Sequence, residues 1–141
     1  MKKLLIASVM GCSILCTGCE TTADRVFDNG DQTQLQKRSY QSRSFDTSDK
    51  AKVMNATIAT LQDFGFIINK ADFTLGSVSA SRFQNSGNIV MTVVARSRGA
   101  KQIVVRTNAQ FGLKPIEDPK LYQDFYSALS KSLFLQANNV D

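Results

Sequence analysis

The chemistry most clearly written in this chain belongs to a thiol, that of Cys19. Lys2 and Lys3 open the sequence, a mostly apolar run follows from Leu4 to Cys16, and the small residues Thr17 and Gly18 lead into Cys19. A positive start, an apolar stretch and small residues at its end make up a secretory signal peptide. A cysteine directly behind them offers a thiolate, which is a nucleophile. A spanning anchor needs about 20 mostly apolar residues. Leu4–Cys16 is shorter than that and is interrupted by Ser8, Gly11 and Ser13. The competing reading is an ordinary signal peptide cut elsewhere, with Cys19 a plain thiol. Cys12, behind Val9-Met10-Gly11, leaves too little apolar chain in front of it.

Other catalytic chemistries find few residues to work with. The chain has no histidine and no tryptophan. A Ser-His-Asp or Cys-His arrangement is therefore excluded, as is a Cys/His metal cluster in the part that follows the signal. No GxGxxG, Walker-type loop or HExxH occurs. Paired carboxylates are the remaining option, and the pairs are Asp46 with Asp49 and Glu117 with Asp118. Both stand where helices should start, which favours N-capping over general acid–base work. No catalytic residue, metal ligand or cofactor is expected.

Removal of residues 1–18 takes Cys12 and Cys16 with it and leaves Cys19 to be acylated. No disulfide is then expected in spite of an oxidising compartment, so the fold must rest on a hydrophobic core. Residues 19–141 suffice for one domain. Without Lys2 and Lys3 the 17 Lys and Arg fall to 15 against 12 Asp and Glu, a net charge of +3. That is far from the basic stripe of a nucleic-acid binder.

The elements follow from periodicity. Residues 19–39 read as a lipidated cysteine and a polar, flexible tether with a reach of about 25 Å. The domain is expected over 40–141, with Tyr40–Phe45 as a short first strand. Asp46-Thr47-Ser48-Asp49 offers caps for a helix over 49–64, whose apolar face is Ala51, Met54, Ile58, Leu61 and Phe64, widened by Val53 and Ala56. Gly65 stops it. Strands are predicted over 66–71, 77–83, 89–98 and 102–111; the last two alternate apolar and polar residues, as in a sheet wet on one face. Gly112–Asp118 reads as a loop, and Pro119 opens a final helix with Leu121, Phe125, Ala128, Leu129, Ser132 and Leu133 buried and Tyr122 and Tyr126 flanking. The predicted fold class is α+β, a two-layer β-α-β-β-β-β-α domain with an antiparallel sheet and two helices on one face.

The segment Lys2–Cys19 resembles a bacterial lipoprotein signal, with Cys16 where leucine is usual. Glu20, rather than aspartate, follows the cysteine, and the resemblance then implies export to the periplasmic side of the outer membrane. The element order over 40–137 resembles the helix-grip domains found in a lipoprotein component of the bacterial outer-membrane β-barrel assembly machine. The segments Leu61–Phe66 and Asp72–Ala80, each with its glycine, look like a motif of small bacterial lipoproteins. The resemblance implies envelope location and fold and carries over no binding site.

Three features could carry function. On the wet sheet face Arg96, Arg98 and Arg106 project around Val94 and Val104, with Lys101 in the turn: a docking face for an envelope protein, or a plain solvated surface. Phe64, Phe66, Phe73, Phe83, Phe111, Phe125 and Phe134 either fill the core or line a groove between helix and sheet for a small apolar or lipid-like ligand. The tether either orders on a partner or is a passive spacer. The leading expectation is a non-enzymatic adaptor attached to the membrane through Cys19, with envelope proteins as partners; the alternative is the ligand-binding protein.

Overall fold

The computed structural model describes residues 33–138. The signal segment and Cys19 lie outside the described residues. The element order is α1 (Gln34–Gln41), β1 (Ser42–Phe45), α2 (Lys50–Asp63), β2 (Ile67–Asp72), β3 (Ser77–Gln84), β4 (Gly87–Arg98), β5 (Gln102–Phe111), β6 (Lys114–Pro115) and α3 (Pro119–Asn138). The fold is α+β, as the periodicity predicts, with an antiparallel six-stranded sheet and one additional short helix.

That additional helix corrects the boundary of the tether. Gln34–Gln41, read as tether and as the start of the first strand at Tyr40, is helical, because Thr33 and Gln36 form a capping box. The Gln36 amide donates to Thr33 Oγ1 at 3.2 Å, and the Thr33 amide donates to Gln36 Oε1 at 3.0 Å. No residue of α1 is fully buried. Tertiary contacts hold it in place: Lys37 Nζ reaches Glu117 at 2.5 Å, and the Tyr40 ring sits 5.2 Å from that of Tyr122. A short polar helix is marginal in isolation, so these contacts are what make it form.

The sheet order is β1-β5-β4-β3-β2. Helix α2 therefore carries the chain from one edge strand to the other, and β2 to β5 return as a meander. The stretch expected as a loop after Gly112 adds β6, which pairs with the end of β5. Period two governs the long strands. Ile89, Met91, Val93 and Ala95 of β4 and Ile103, Val105, Thr107 and Ala109 of β5 are all buried, and their neighbours face the other way.

The helices cover the buried side. Asp49 caps α2, its Oδ1 accepting from the Lys52 amide at 2.9 Å. The buried stripe of α2 is Val53, Met54, Ala56, Thr57, Thr60 and Leu61, so the face is rotated from the expected one and Ala51 is exposed. Two threonines are tolerated there because their hydroxyls donate back to Val53 O and Ala56 O, each at 2.8 Å. On α3 the centre of the stripe is Tyr122, Phe125, Tyr126 and Leu129, all within 1 % of full burial. Apolar content alone puts the two tyrosines at the flanks of the stripe, yet they sit at its middle because each hydroxyl has a partner. Tyr122 Oη donates to Ile116 O at 2.5 Å and accepts from the Ala109 amide at 3.2 Å. Tyr126 Oη lies 2.7 Å from Gln41 O and 3.0 Å from Val105 O, and so joins α3, the end of α1 and β5. The Arg43 guanidinium covers the Tyr126 ring, 5.3 Å from its centroid.

One turn tolerates no side chain. Gly76 has φ +70°, and a Cβ there would fall 2.3 Å from Ala95 O. The backbones cannot separate, since the Ala95 amide donates to Gly76 O at 2.7 Å. Gly76→Ala should therefore cost about 2 kcal/mol or more in urea unfolding, against about 1 kcal/mol for Gly99→Ala. Gly99 has a similar φ of +66° with nothing within 4 Å. Equal losses would show that the Ala95 contact is not limiting.

Burial pushes the Tyr126 phenol up to about 12 from the usual 10.0. The folded state thus favours the neutral phenol. Its contribution is whole below pH 10 and is lost as pH rises from 10 to about 12, a change of about 3 kcal/mol. Tyr126→Phe should lower stability by roughly 1–3 kcal/mol at neutral pH, through loss of the one hydroxyl donor that Gln41 O and Val105 O share. It should also flatten the alkaline fall in stability measured by urea unfolding. Parallel alkaline slopes in the two proteins would contradict this.

Candidate docking face

The outward side of the sheet takes its pattern from the β4–β5 register. Val94 pairs with Arg106 and Arg96 with Val104, while Arg98 pairs with Gln102. Because cross-strand neighbours lie side by side, the two valines and two arginines form a chequerboard, with Arg98 one step further along β4. The structure brings all four sequence-predicted residues, Arg96, Arg98, Lys101 and Arg106, to this half of the sheet, and all four are exposed. Val94 and Val104 are half-buried, and with Arg96 and Arg106 they line a shared depression.

Small residues flank this pattern. Ser42 and Ser44 of β1 lie opposite Arg106 and Val104, and Ser77 and Ser79 of β3 lie opposite Val94 and Thr92. Arg106 therefore rises between Ser42 on one side and Val94 on the other. Arg106 Nε donates to Ser42 Oγ at 3.3 Å, which orients its fork. Gln102 Nε2 donates to Asp46 Oδ1 at 2.8 Å at the rim. Neither contact is legible from local sequence, because each spans more than fifty residues. Planar forks around half-buried β-branched side chains suit a partner that offers carboxylates or phosphates beside an apolar spot.

The carboxylate pairs are occupied structurally. Asp49 caps α2, Asp46 accepts from Gln102, Glu117 pairs with Lys37, and Asp118 Oδ1 accepts from the Lys120 amide at 2.9 Å. Among the described residues no group of three Asp, Glu, Cys or His is placed to hold a metal ion. No helix among them is long and apolar enough to cross a membrane.

The aromatic set divides. Phe66 and Phe125 are buried, Phe64 and Phe111 pack partly against the core, and Phe73, Phe83 and Phe134 are exposed at 44 %, 72 % and 67 %. Those last three do not fill the core, and the seven rings share no common groove. Phe134 borders a depression with Phe45, Lys52 and Leu133, beside the β1–α2 connection. Arg82 is a further basic residue, and its role is architectural: Nη1 donates to Phe64 O at 2.9 Å at the end of α2, and its guanidinium stacks 5.0 Å from the Phe66 centroid.

No protein-family model matches the chain, and a comparison with curated proteins finds no relative.

Proposed function

We propose that this protein is a non-enzymatic, lipid-anchored periplasmic adaptor, an accessory component of an envelope assembly or secretion system. The observation that supports it best is the exposed chequerboard of Arg96, Arg106, Val94 and Val104, extended by Arg98 and Lys101. Arginine beside apolar area is the composition enriched at protein interfaces. The Lys2–Cys19 segment supplies the anchor in this reading. A single acyl chain binds a membrane only marginally, so the three chains that a mature bacterial lipoprotein carries would hold it firmly on the outer membrane. The likeness in element order to the helix-grip domains of the barrel-assembly lipoprotein belongs to the same proposal.

The test is crosslinked co-purification from membranes with the full-length protein. Arg96→Glu leaves the fold intact, since exposed substitutions shift stability by about 0.5 kcal/mol or less. It is expected to lower capture of envelope proteins at least several-fold. Cys19→Ser is expected to lose both membrane attachment and capture. Unchanged capture by Arg96→Glu would remove the docking face from the proposal, and a Cys19→Ser protein that stays in the membrane would remove the anchor.

A further inference from the structure

Four large apolar side chains stand out from four different elements at one end of the domain. Leu113 in the β5–β6 turn is 98 % exposed, Leu35 in the first turn of α1 78 %, Phe83 near the end of β3 72 % and Ile67 at the start of β2 62 %. The register and the β5–β6 turn bring three of them, Ile67, Phe83 and Leu113, to this end. Ile67 lies opposite Ser81, so Phe83 is its diagonal neighbour, and Phe83 lies opposite Asn88. Asn88 O in turn accepts from the Gly112 amide at 3.0 Å, next to Leu113. An apolar rim thus runs across the sheet from edge strand β2 to the β5–β6 turn.

The chain enters the domain at this same end. Tyr126 contacts Gln41 and Val105, Tyr122 contacts Tyr40 and Ala109, and Lys37 contacts Glu117. Going back along α1 from Gln41 to Lys37 therefore moves along β5 toward its Phe111 end, and Thr33 and Leu35 lie further still. From Cys19 to Thr33 the chain spans at most roughly 50 Å at full stretch. The opposite end also bears exposed apolar residues: Leu75 at 68 % and Phe73 in the β2–β3 turn, and Phe134 and Leu135 late in α3. To put that end on the membrane, the chain would first have to run back along the length of β5, about 34 Å. The nearby charges fit a lipid surface as well. Among the described residues, Lys114 beside Leu113 and Arg38 on α1 are exposed, whereas Glu117 is paired with Lys37, Asp118 accepts from the start of α3 and Asp124 is paired with Lys120; Asp63 at the end of α2 is a further acid.

We propose that this end is a membrane-contact surface, with Leu113 and Phe83 inserted among the acyl chains of the bilayer that holds the anchor and Lys114 at headgroup level. The proposal rests on acylation of Cys19. It goes beyond the adaptor reading by setting the orientation of the domain: apolar rim down, with the Arg98–Lys101 hairpin at the far end. Apolar tips with a flanking lysine are suited to the interface, where the ammonium stays hydrated while the stem lies along apolar surface.

The described residues contain no cysteine, Cys12 and Cys16 lie in the signal segment, and Cys19 is acylated in this reading. A single introduced cysteine is then the free thiol of the processed protein. Leu113→Cys and Leu75→Cys, each carrying an environment-sensitive fluorophore, are reconstituted as full processed lipoprotein into phosphatidylethanolamine–phosphatidylglycerol vesicles with nitroxides on the acyl chains. Both positions are exposed, so the labels leave the core untouched. The label at 113 should shift to the blue and lose most of its emission to the nitroxides, while the label at 75 keeps its emission. Equal quenching at the two sites overturns the proposal. So does a blue shift at 113 without quenching, which would mark a protein partner instead of lipid. Mass measurement of the N-terminal peptide reads the anchor separately: acylated Cys19 with no quenching at 113 defeats the membrane contact alone, and unacylated Cys19 defeats both readings.

Discussion

The β4–β5 ladder, from Ile89 opposite Phe111 to Arg98 opposite Gln102, is the constraint on which the other elements depend. In that register Met91, Val93, Val105 and Ala109 point to one side together, and Val94, Arg96, Val104 and Arg106 to the other. A slip of one residue would put guanidinium groups under α2 and α3 and bring the core valines into water, so burial of one face strongly specifies the pairing. The outward arginine face and the core are therefore two consequences of one hydrogen-bonding pattern. Any adaptor surface on this protein inherits the rigidity of its two longest strands.

A core without tryptophan still has to fill its volume and satisfy its polar atoms. Tyr122 and Tyr126 do both. One helical turn apart on α3, they bury aromatic area while their hydroxyls reach the backbone of β5, the β6 segment and the end of α1. The same helix thus holds down the edge of the sheet and the entry of the chain. Phe125 packs between them and α2, with its ring 6.5 Å from Phe64 and 5.4 Å from Tyr126. This division of labour lets α1 be helical although it buries no residue fully.

Both ends of the sheet bear exposed apolar side chains, and they differ in what accompanies them. At one, the chain enters and large apolar side chains project beside Lys114. At the other, the Arg98–Lys101 hairpin extends the basic face. A domain attached to a bilayer through its entry end would present its arginines away from that bilayer, where a second envelope component could reach them.

Local patterns were enough for strands β2 to β5, the α2 cap at Asp49, the stop at Gly65, the opening of α3 at Pro119 and the outward placement of Arg96, Arg98 and Arg106, but not for β6 or for the helical start of the expected first strand. Side-chain period and capping chemistry act within a few residues, so neighbouring sequence contains them. Contacts between distant segments decided the rest. The pairing of β1 with β5 joins residues about sixty apart, and the helicity of 34–41 depends on Glu117 and Tyr122. The central place of Tyr122 and Tyr126 depends on carbonyls and amides that only the folded chain brings within reach. So does the sorting of phenylalanines, since Phe125 and Phe83 are equally apolar and differ only in which side of the assembled sheet, and how near its end, the chain sets them down.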